Sequence, residues 1–236
     1  GVARYTSNFT PPTQPFIGKP IVGNDLYHYA TSLLLKGDGT NGSTTIVDSS
    51  YDPKTITVNG DAQISTAQSK YGGSSLAFDG SGDYMTVPNN ADFQFNYGDF
   101  TIEGWIYPAQ INARNTIVSA YGGGFNGHWI FLLENGKLTW YVYPSPVFNF
   151  TWTSTTTLPL NQWSHVALTR QSNTWRLFYN GSIENTATET IAVSSSNQLQ
   201  IGNYLGSNNF NGYIDDLRIT KGVARYTSNF TPPGPL

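Results

Sequence analysis

The clearest pattern in this chain is an alternation of apolar and polar residues with a period of two. Segment 100–107 places Phe100, Ile102, Gly104 and Ile106 on one face and Thr101, Glu103, Trp105 and Tyr107 on the other. Successive side chains of a β-strand point to opposite faces of a sheet, so this pattern predicts a strand with one buried face. No segment of ten residues shows the sustained 3.6-residue period of an amphipathic helix.

Further apolar segments are separated by short polar turns. Asn59-Gly60 and Asn135-Gly136 are typical of two-residue hairpin turns. After the second turn, Trp140 should face the core, whereas Tyr141 and Tyr143 should point the other way. Many short strands with polar turns predict an all-β fold, in which two antiparallel sheets pack as a jelly-roll sandwich. The predicted strands are 33–35, 55–58, 75–79, 84–87, 100–107, 129–133, 137–143, 163–170, 174–180, 183–193, 199–202 and 212–220.

Composition supports this class and excludes others. Charged residues make up 11% of the chain and aromatic residues 14%, whereas ordinary globular proteins carry ~25% charged residues. The formal net charge is −3 and no basic cluster occurs, which argues against nucleic acid as a partner. No apolar run approaches the ~20 residues that span a bilayer, so we expect no membrane partner. The absence of cysteine excludes disulfides and thiolate metal sites.

The sequence GVARYTSNFTPP occurs twice, at residues 1–12 and 222–233. Such repetition indicates a tandem array, whose neighbouring modules are then expected partners. The alternative is that the first copy is a cloning remnant. The second copy follows the last strand directly and should dock in a groove on its own domain, so the first copy needs another surface. We expect residues 1–16 to be the tail of a preceding unit, 17–32 a linker, 33–221 the jelly-roll domain and 222–236 its C-terminal tail.

Six segments carry a resemblance to a known family. They are SLAFDGSGDYMTVP (75–88), DFTIEGWIYP (99–108), NQWSHVALTR (161–170), WRLFYNGS (175–182), LQIGNY (199–204) and FNGYIDDLRIT (210–220). In this order they resemble the laminin-G-like, concanavalin A-like lectin/glucanase jelly-roll superfamily. The tail RYTSNFTPP also resembles the ends of tandem modules in virion and tail proteins of marine bacteriophages. The resemblance implies two packed antiparallel sheets, binding of a surface polysaccharide or other glycan, and a location on a virion surface or outside the cell.

The same resemblance raises the question of enzymatic activity. Laminarinase-like relatives carry the motif E-x-D-x-E, whose alternate carboxylates give the ~5 Å separation that retaining glycoside hydrolysis requires. No such motif occurs here: Glu103 stands alone on its strand, and Glu134 lies at a hairpin turn. We expect His165 to be a packed structural histidine, and the protein not to be an enzyme.

A structural Ca²⁺ ion is common in jelly rolls of this superfamily, and Ca²⁺ requires several oxygen ligands. The resemblance implies Asp215 as a ligand, because it falls where laminarinase-like relatives place a calcium-binding Asp. Asp38, in the Gly-rich loop after the first strand, is a candidate partner. The alternative is that Asp215 and Asp216 form turn or strand-edge hydrogen bonds, with Arg218 as a nearby partner. Segment 79–83 also holds two aspartates, but its composition favours a hairpin turn.

Side chains suited to sugar binding concentrate in residues 121–152. Aromatic faces offer apolar area at low entropic cost, and amides add hydrogen bonds. A stiff loop at 144–146 should carry Phe148, and the loops around Phe125 and Phe148 are the expected exposed regions. The alternative is that these rings form the core of a wide sheet. The candidate ligand-binding residues are Tyr121, Phe125, Asn126, His128, Tyr141, Tyr143, Phe148 and Asn149.

These observations favour a non-catalytic, lectin-like module of a phage tail or virion-surface protein. Repetition would convert weak single sites into multivalent attachment to host glycan. Two alternatives are a structural, decoration or protein-docking module without a glycan ligand, and a bacterial surface adhesin repeat. A sheet face that is closed by side chains or by a loop would favour docking, whereas a face with exposed rings would favour the lectin.

Overall fold

The structure is a computed structural model, and it describes residues 25–111, 114–121, 128–145, 148–204, 206 and 208–236, with the backbone alone at 144–145 and 148–149. These residues form fifteen strands and two short 3-10 helices, His28–Ala30 and Ala91–Phe93. The strands are β1 (Thr31–Leu35), β2 (Thr57–Asn59), β3 (Gln63–Ser65), β4 (Ser75–Asp79), β5 (Tyr84–Val87), β6 (Phe100–Pro108), β7 (Arg114–Ala120), β8 (His128–Glu134), β9 (Lys137–Ser145), β10 (Phe148–Thr157), β11 (Ser164–Gln171), β12 (Thr174–Tyr179), β13 (Ser182–Thr188), β14 (Leu199–Ile201) and β15 (Asn211–Lys221).

The strands form two antiparallel sheets, which confirms the predicted all-β sandwich. The eight-stranded sheet has the order β13-β12-β11-β6-β15-β4-β3, and β1 pairs with the second half of β15. The seven-stranded sheet has the order β10-β9-β8-β7-β14-β5-β2. Strands that are distant in sequence, such as β6 and β15, are neighbours in the sheet, as expected for a jelly roll.

The inner faces of the two sheets form one hydrophobic core. The alternation of β6 is confirmed, because Phe100, Ile102 and Ile106 are fully buried between the sheets. Trp140 also faces the core as predicted, and its ring stacks on that of Trp129 with centroids 5.5 Å apart. Each fully buried aromatic or aliphatic side chain contributes roughly 1.5–3 kcal/mol relative to exposure, so these inner faces are the main stabilising layer.

Two turns connect the sheets instead of joining neighbouring strands. Asn59-Gly60 predicts a hairpin, but β2 pairs with β5 in one sheet and β3 pairs with β4 in the other. The carboxylate of Asp83 fixes both turns, because it accepts hydrogen bonds from the amides of Asp61 at 2.7 Å and Asp79 at 3.0 Å. The hairpin prediction is wrong because a local sequence determines the chain reversal and not the sheet that the next strand joins.

The first described residues lie against the domain. β1 begins slightly before the predicted domain boundary, because Thr31 already pairs with Thr220 of β15. Further upstream, the carboxylate of Asp25 accepts hydrogen bonds from the guanidinium of Arg225 at 2.8 and 2.9 Å and from that of Arg218 at 3.1 Å. Residues 25–30, the described segment before β1, are therefore joined through Asp25 to both the last strand and the C-terminal tail.

The C-terminal tail crosses the outer face of the eight-stranded sheet. The rings of Tyr226 and Phe230 stack with centroids 3.5 Å apart, and the amide of Phe230 donates to the carbonyl of Gly181 at 2.9 Å. Gly181 must be glycine, because its φ is +78° and a Cβ there would lie 1.9 Å from the carbonyl oxygen of Phe230. We call the surface beneath residues 222–233 the tail groove. Its floor consists of Thr101, Glu103, His165, Thr169, Phe178 and Gly181.

Deleting residues 1–12 should leave the melting temperature nearly unchanged, whereas Tyr226→Ala or Phe230→Ala should lower it clearly. A fully buried aromatic ring contributes roughly 1.5–3 kcal/mol. Tyr226 and Phe230 are half-buried, so each should contribute less than this; each kcal/mol corresponds to about 2–4 °C in a domain of this size. Differential scanning calorimetry measures the shift. Tyr97→Ala is the matched control, because Tyr97 is 64% exposed. Equal losses from the deletion and from the substitutions would contradict docking of the second copy alone.

Candidate functional site

The outer face of the eight-stranded sheet is closed around a buried carboxylate. Glu103 is 1% exposed, and its Oε1 accepts hydrogen bonds from the guanidinium of Arg218 at 2.7 and 2.9 Å. Its Oε2 accepts the hydroxyl of Tyr226 at 2.7 Å and lies 3.3 Å from Nε2 of His165. His165 is itself buried, which agrees with its prediction as a packed histidine. The tail covers Glu103 and His165, so these two groups are closed to a sugar. Arg218 lines a cavity of about 570 Å³ beside them, together with Asp25 and Pro233.

Electrostatics keep Glu103 ionised. Burial is the largest single effect and would raise its pKa, but the charge of Arg218, the hydrogen bond and charge of His165 and the charge of Arg225 together outweigh burial. The pKa of Glu103 therefore lies well below its usual range. Burial and the charge of Glu103 raise the pKa of the Tyr226 hydroxyl far above its usual range. Glu103 therefore acts as a fixed acceptor for the tail, and it is not poised as a general acid.

The outer face of the seven-stranded sheet carries a cluster of tyrosines. Tyr141 is nearly buried and packs with two aliphatic residues of β8. Tyr121, Tyr143 and Tyr204 are half-buried around it. The rings of Tyr141 and Tyr143 stack with centroids 6.1 Å apart, and Tyr121 meets Tyr204 edge-on at 5.0 Å. We call Tyr121, Tyr141, Tyr143, Tyr204, Arg114 and Glu134 the aromatic patch.

An ion pair supplies the polar groups of the aromatic patch. Arg114 on β7 is directly opposite Glu134 on β8, and its Nε donates to a carboxylate oxygen at 2.9 Å. The guanidinium also donates to the hydroxyl of Tyr204 at 3.1 Å, while the hydroxyl of Tyr141 donates to Glu134. Burial and Glu134 raise the pKa of Tyr141 to about 12. The side chains of Arg114 and Glu134 are 31% and 26% exposed, so charged groups reach solvent beside the tyrosine rings.

His128 supports the aromatic patch from beneath. It is 3% exposed, and its Nδ1 lies 3.2 Å from the amide nitrogen of Asn197. Its ring centroid is 4.5 Å from that of Tyr121. Burial lowers the pKa of His128, so the ring is neutral at pH 7. A neutral, buried ring in this position holds Tyr121 in place and is not itself presented to solvent.

Four of the predicted ligand-binding residues therefore share one surface, namely Tyr121, His128, Tyr141 and Tyr143. Phe125 and Asn126 lie outside the described residues, as do the side chains of Phe148 and Asn149. The predicted stiff loop is shorter than expected, because β9 continues to Ser145 and β10 begins at Phe148. His128 pairs with Tyr143 across β8 and β9, so the β7–β8 and β9–β10 connections begin and end at one end of the sheet, beside the aromatic patch.

Sequence reasoning missed three members of the aromatic patch. It placed Glu134 in a hairpin turn and assigned no role to Arg114 or Tyr204. The available signal was the pair of opposite charges at the ends of two strands, since cross-strand neighbours of opposite charge stabilise each other. That signal appears only once β7 and β8 are paired, and β7 was not among the predicted strands. Tyr204 follows β14, and only the sheet order brings it to this surface.

Asp215, a predicted calcium ligand, is fully buried at a bulge in β15. Its Oδ2 accepts the amides of Lys70 at 2.8 Å and Tyr71 at 3.1 Å. Its Oδ1 has no hydrogen-bond partner among the residues that the structure describes. Arg218, the alternative partner for this aspartate, pairs instead with Glu103 and Asp25. A buried carboxylate oxygen without a partner is costly, and a cation bound to it would offset this cost.

Two further aspartates act on Asp215. Asp216 accepts the amide of Leu236 at 3.1 Å, and Asp38 is exposed on the loop after β1. Burial, together with the charge of Asp38, raises the pKa of Asp215 to about 6; burial and the charges of Asp215 and Asp38 raise the pKa of Asp216 to about 7. Carboxylate oxygens are the hard ligands that Ca²⁺ prefers. Among the described residues, however, only Asp61, Asp79 and Asp83 bring three such atoms within 4.8 Å of one another, so Asp38, Asp215 and Asp216 do not form a complete ligand cluster. We call Asp38, Asp215 and Asp216 the acidic corner, in which Asp216 was not predicted as a ligand.

A different group of carboxylates serves a turn. Oxygen atoms of Asp61, Asp79 and Asp83 lie within 4.8 Å of one another. Asp83 already accepts the backbone amides of the other two residues, and Asp79 accepts the amide of Ser81 at 2.6 Å. These bonds support a turn at 79–83, and we assign no metal to this group. The predicted hairpin is wrong, because β4 and β5 belong to different sheets.

Comparison with known families agrees with the architecture. A family profile of laminin-G type, described as the concanavalin A-like lectin/glucanases superfamily, matches residues 79–225. This range includes β5 to β15 and the first residues of the tail, and therefore both the aromatic patch and the tail groove. No curated protein sequence matches the chain.

Three solved structures illustrate the fold. The binding domain of Paraclostridial mosquitocidal protein 1 aligns with a TM-score of 0.66 and 17% identity, over 84% of this chain and 50% of that one. Domain 4 of AbnA, a GH43 extracellular arabinanase from Geobacillus stearothermophilus in complex with arabinotriose, gives 0.63 and 19%, over 82% and 93%. A structure concerning ganglioside-dependent cell entry of botulinum neurotoxin type C gives 0.61 and 15%, over 84% and 49%. The chain thus spans about half the length of the two toxin structures, and at these identities the likeness establishes the fold.

Glu103→Gln should destabilise the protein by roughly 3–5 kcal/mol at pH 7, because it leaves the buried Arg218 without its main counter-charge. The pKa of Glu103 is lower in the folded protein than in the unfolded chain, so its contribution is complete above pH ~4.3 and is lost as the pH falls further. Urea titrations at several pH values should therefore show a difference between wild type and variant that shrinks below about pH 4.3. A difference that does not change with pH would contradict the ionised pairing.

Excess Ca²⁺ should raise the melting temperature above its value in EDTA, because an ion that binds only the folded state stabilises it by mass action. Asp215→Asn should abolish the shift, whereas Asp52→Asn, at a side chain that is 80% exposed, should retain it. Protons compete for carboxylates whose pKa values are about 6 and 7, so the shift should be larger at pH 8 than at pH 5. If Ca²⁺ left the melting temperature of the wild-type protein unchanged at pH 8, the predicted calcium site would be contradicted.

Proposed function

Because the chain belongs to the concanavalin A-like lectin/glucanase superfamily, we propose that it is a non-catalytic carbohydrate-binding module and that the aromatic patch is its binding surface. The observation that carries the proposal is the combination of half-exposed tyrosine rings with the partly exposed pair Arg114 and Glu134, on a sheet face that the tail does not cover. Ring faces pack against the apolar face of a sugar, and charged groups exchange hydrogen bonds with its hydroxyls.

The related structures support the class of ligand in this proposal. The arabinanase domain was solved with arabinotriose, and the mosquitocidal structure is a binding domain. The botulinum neurotoxin type C structure concerns cell entry that depends on two ganglioside molecules. The ligands of these proteins differ, so they suggest the class of ligand for this chain, a glycan, and not its identity.

The non-catalytic part of the proposal rests on Glu103. It is the glutamate at the centre of β6, where a hydrolase strand would carry its carboxylates, and its two oxygens are occupied by Arg218, Tyr226 and His165. The chain also lacks the E-x-D-x-E pattern. A retaining hydrolase needs a second carboxylate ~5 Å away that faces the substrate.

The proposed setting is a repeated module on a virion surface or outside a cell, in a phage tail or virion protein. The duplicated segment GVARYTSNFTPP supports repetition, and repetition offsets the weakness of a small, shallow site. Over the part of the chain that the structure describes, no helix combines the length and apolar character needed to cross a membrane. The alternative setting is a repeat of a bacterial surface adhesin, in which the module would bind glycan through the same aromatic patch.

A second candidate function, protein docking without a glycan ligand, is favoured by the tail groove. The docked tail shows that one sheet face of this module binds a peptide segment closely. The two functions are compatible, because they use opposite faces of the sandwich.

Binding should be measured with the biotinylated chain displayed on streptavidin, against an array of bacterial surface polysaccharides and arabinan. Tyr143→Ala and Tyr204→Ala should each weaken binding about tenfold, which corresponds to about 1.4 kcal/mol. Tyr97→Ala removes an exposed tyrosine outside the aromatic patch and should bind like wild type. Absence of binding to every glycan, or equal effects of all three substitutions, would count against the proposal.

A further inference from the structure

Four side chains of residues 222–233 contact the tail groove or its edge. Arg225 pairs with Asp25, and Tyr226 donates to Glu103. The remaining contacts are those of Asn229, whose Oδ1 accepts the amide of Ile183 at 2.9 Å, and of Phe230, whose ring meets Phe178 edge-on at 5.2 Å and His165 at 5.7 Å. The two residues between these pairs, Thr227 and Ser228, are exposed, and their side chains make no hydrogen bond or ring contact with the described residues. Asn229 is exposed as well and contacts the groove through its hydrogen bond with Ile183. The groove therefore recognises the pattern Arg-Tyr-x-x-Asn-Phe.

The same pattern occurs in the first copy of the repeat, where the corresponding residues are Arg4, Tyr5, Asn8 and Phe9. Each contact of the docked tail thus has an identical potential donor, acceptor or ring in residues 1–12. We propose that the tail groove is a sequence-specific receptor for the segment GVARYTSNFTPP, and that residues 1–12 are its second occupant. They occupy the groove when residues 222–233 leave it or are weakened.

The polar floor of the groove makes an exchange of identical segments more favourable than an empty groove. If the tail left without replacement, Glu103 would lose the hydroxyl of Tyr226 and Asp25 would lose the guanidinium of Arg225. Both carboxylates would keep Arg218, but Glu103 would lose one charge-assisted hydrogen bond and Asp25 two, which is costly at a largely buried site. An identical segment restores these contacts, but ordering it costs conformational entropy. It therefore recovers only part of the stability that the docked tail provides, and the groove still prefers this occupant to solvent.

The chain is long enough for this exchange. Twelve residues, 13–24, separate the first copy from Asp25, and an extended chain of that length spans up to about 40 Å. Asp25 is at the edge of the groove, because it contacts Arg225. The C-terminal copy follows β15 directly and has an effective concentration in the millimolar range, so it holds the groove in the intact chain. The first copy can reach either its own groove or that of a second molecule.

A thermodynamic cycle on the 236-residue chain tests the proposal. The variants are Tyr5→Ala/Phe9→Ala, Tyr226→Ala/Phe230→Ala, and the combination of all four substitutions. The first pair should change the melting temperature by less than 1 °C while the tail is intact. The same pair should lower it by several degrees in the Tyr226→Ala/Phe230→Ala background, because residues 1–12 then occupy the groove. Additive effects of the two pairs would overturn the proposal, since independent sites add.

Sedimentation velocity then identifies the source of the occupant. Self-association of Tyr226→Ala/Phe230→Ala that rises with concentration, and is absent from the four-substitution variant, indicates residues 1–12 of a second molecule. A monomer that retains the non-additive stability indicates exchange within one chain. Both results support the receptor, whereas association that persists after all four substitutions would contradict it.

A milder variant covers the case in which the alanine pair does not fold. Tyr226→Phe keeps the ring stack and removes only the hydroxyl that Glu103 accepts, and it is combined with Tyr5→Phe in the same cycle. In addition, the synthetic peptide GVARYTSNFTPP should raise the melting temperature of the Tyr226→Phe/Tyr5→Phe chain by several degrees as its concentration increases. The peptide GVARATSNATPP is the control, and an equal shift from both peptides would overturn sequence-specific recognition.

Discussion

Glu103 lies at the centre of β6 on the outer face of the eight-stranded sheet, where burial of an unpaired carboxylate would cost several kcal/mol. Its partners come from distant parts of the chain: Arg218 from β15, His165 from β11 and Tyr226 from the tail. Arg218 in turn pairs with Asp25, which also pairs with Arg225 of the tail. The negative charges of Glu103 and Asp25 are therefore balanced by the positive charges of Arg218 and Arg225 where the tail packs on the sheet. This arrangement makes the segment before β1 and the C-terminal tail integral parts of the domain.

The closure of that face determines where a ligand can bind. In a sandwich of two sheets, the inner faces form the core, so only the two outer faces and the edges are available. The tail and its charged floor occupy the central part of one outer face. On the other face, cross-strand pairing brings Arg114 and Glu134 together beside tyrosines that are only half-buried. The candidate glycan site and the peptide-binding groove are consequently on opposite sides of the core.

The fold could be predicted from the sequence to a large extent, because an alternation of period two determines which side chains of a strand are buried. The alternation correctly separated Trp140 from Tyr141 and Tyr143. It could not show that β2 and β3 belong to different sheets, because the Asn59-Gly60 turn reverses the chain in either case. It also could not bring Tyr204 to Tyr121, since that proximity depends on β14 pairing with β7. Local patterns predict faces, while the composition of a site depends on strand order.

The two identical segments place a shared constraint on the chain. The four side chains that the groove contacts match a floor that includes a buried acid, Glu103, so a change in the floor requires a matching change in every segment that is to occupy it. A hydrophobic floor would accept many apolar segments, because the hydrophobic effect is not directional. Buried charges and hydrogen bonds instead penalise any segment that leaves one group unpaired, and this penalty is the basis of discrimination. In an array of such modules, identical tails and identical floors would allow every tail to fit every groove. Linker length and attachment, and not sequence, would then determine which tail occupies which groove.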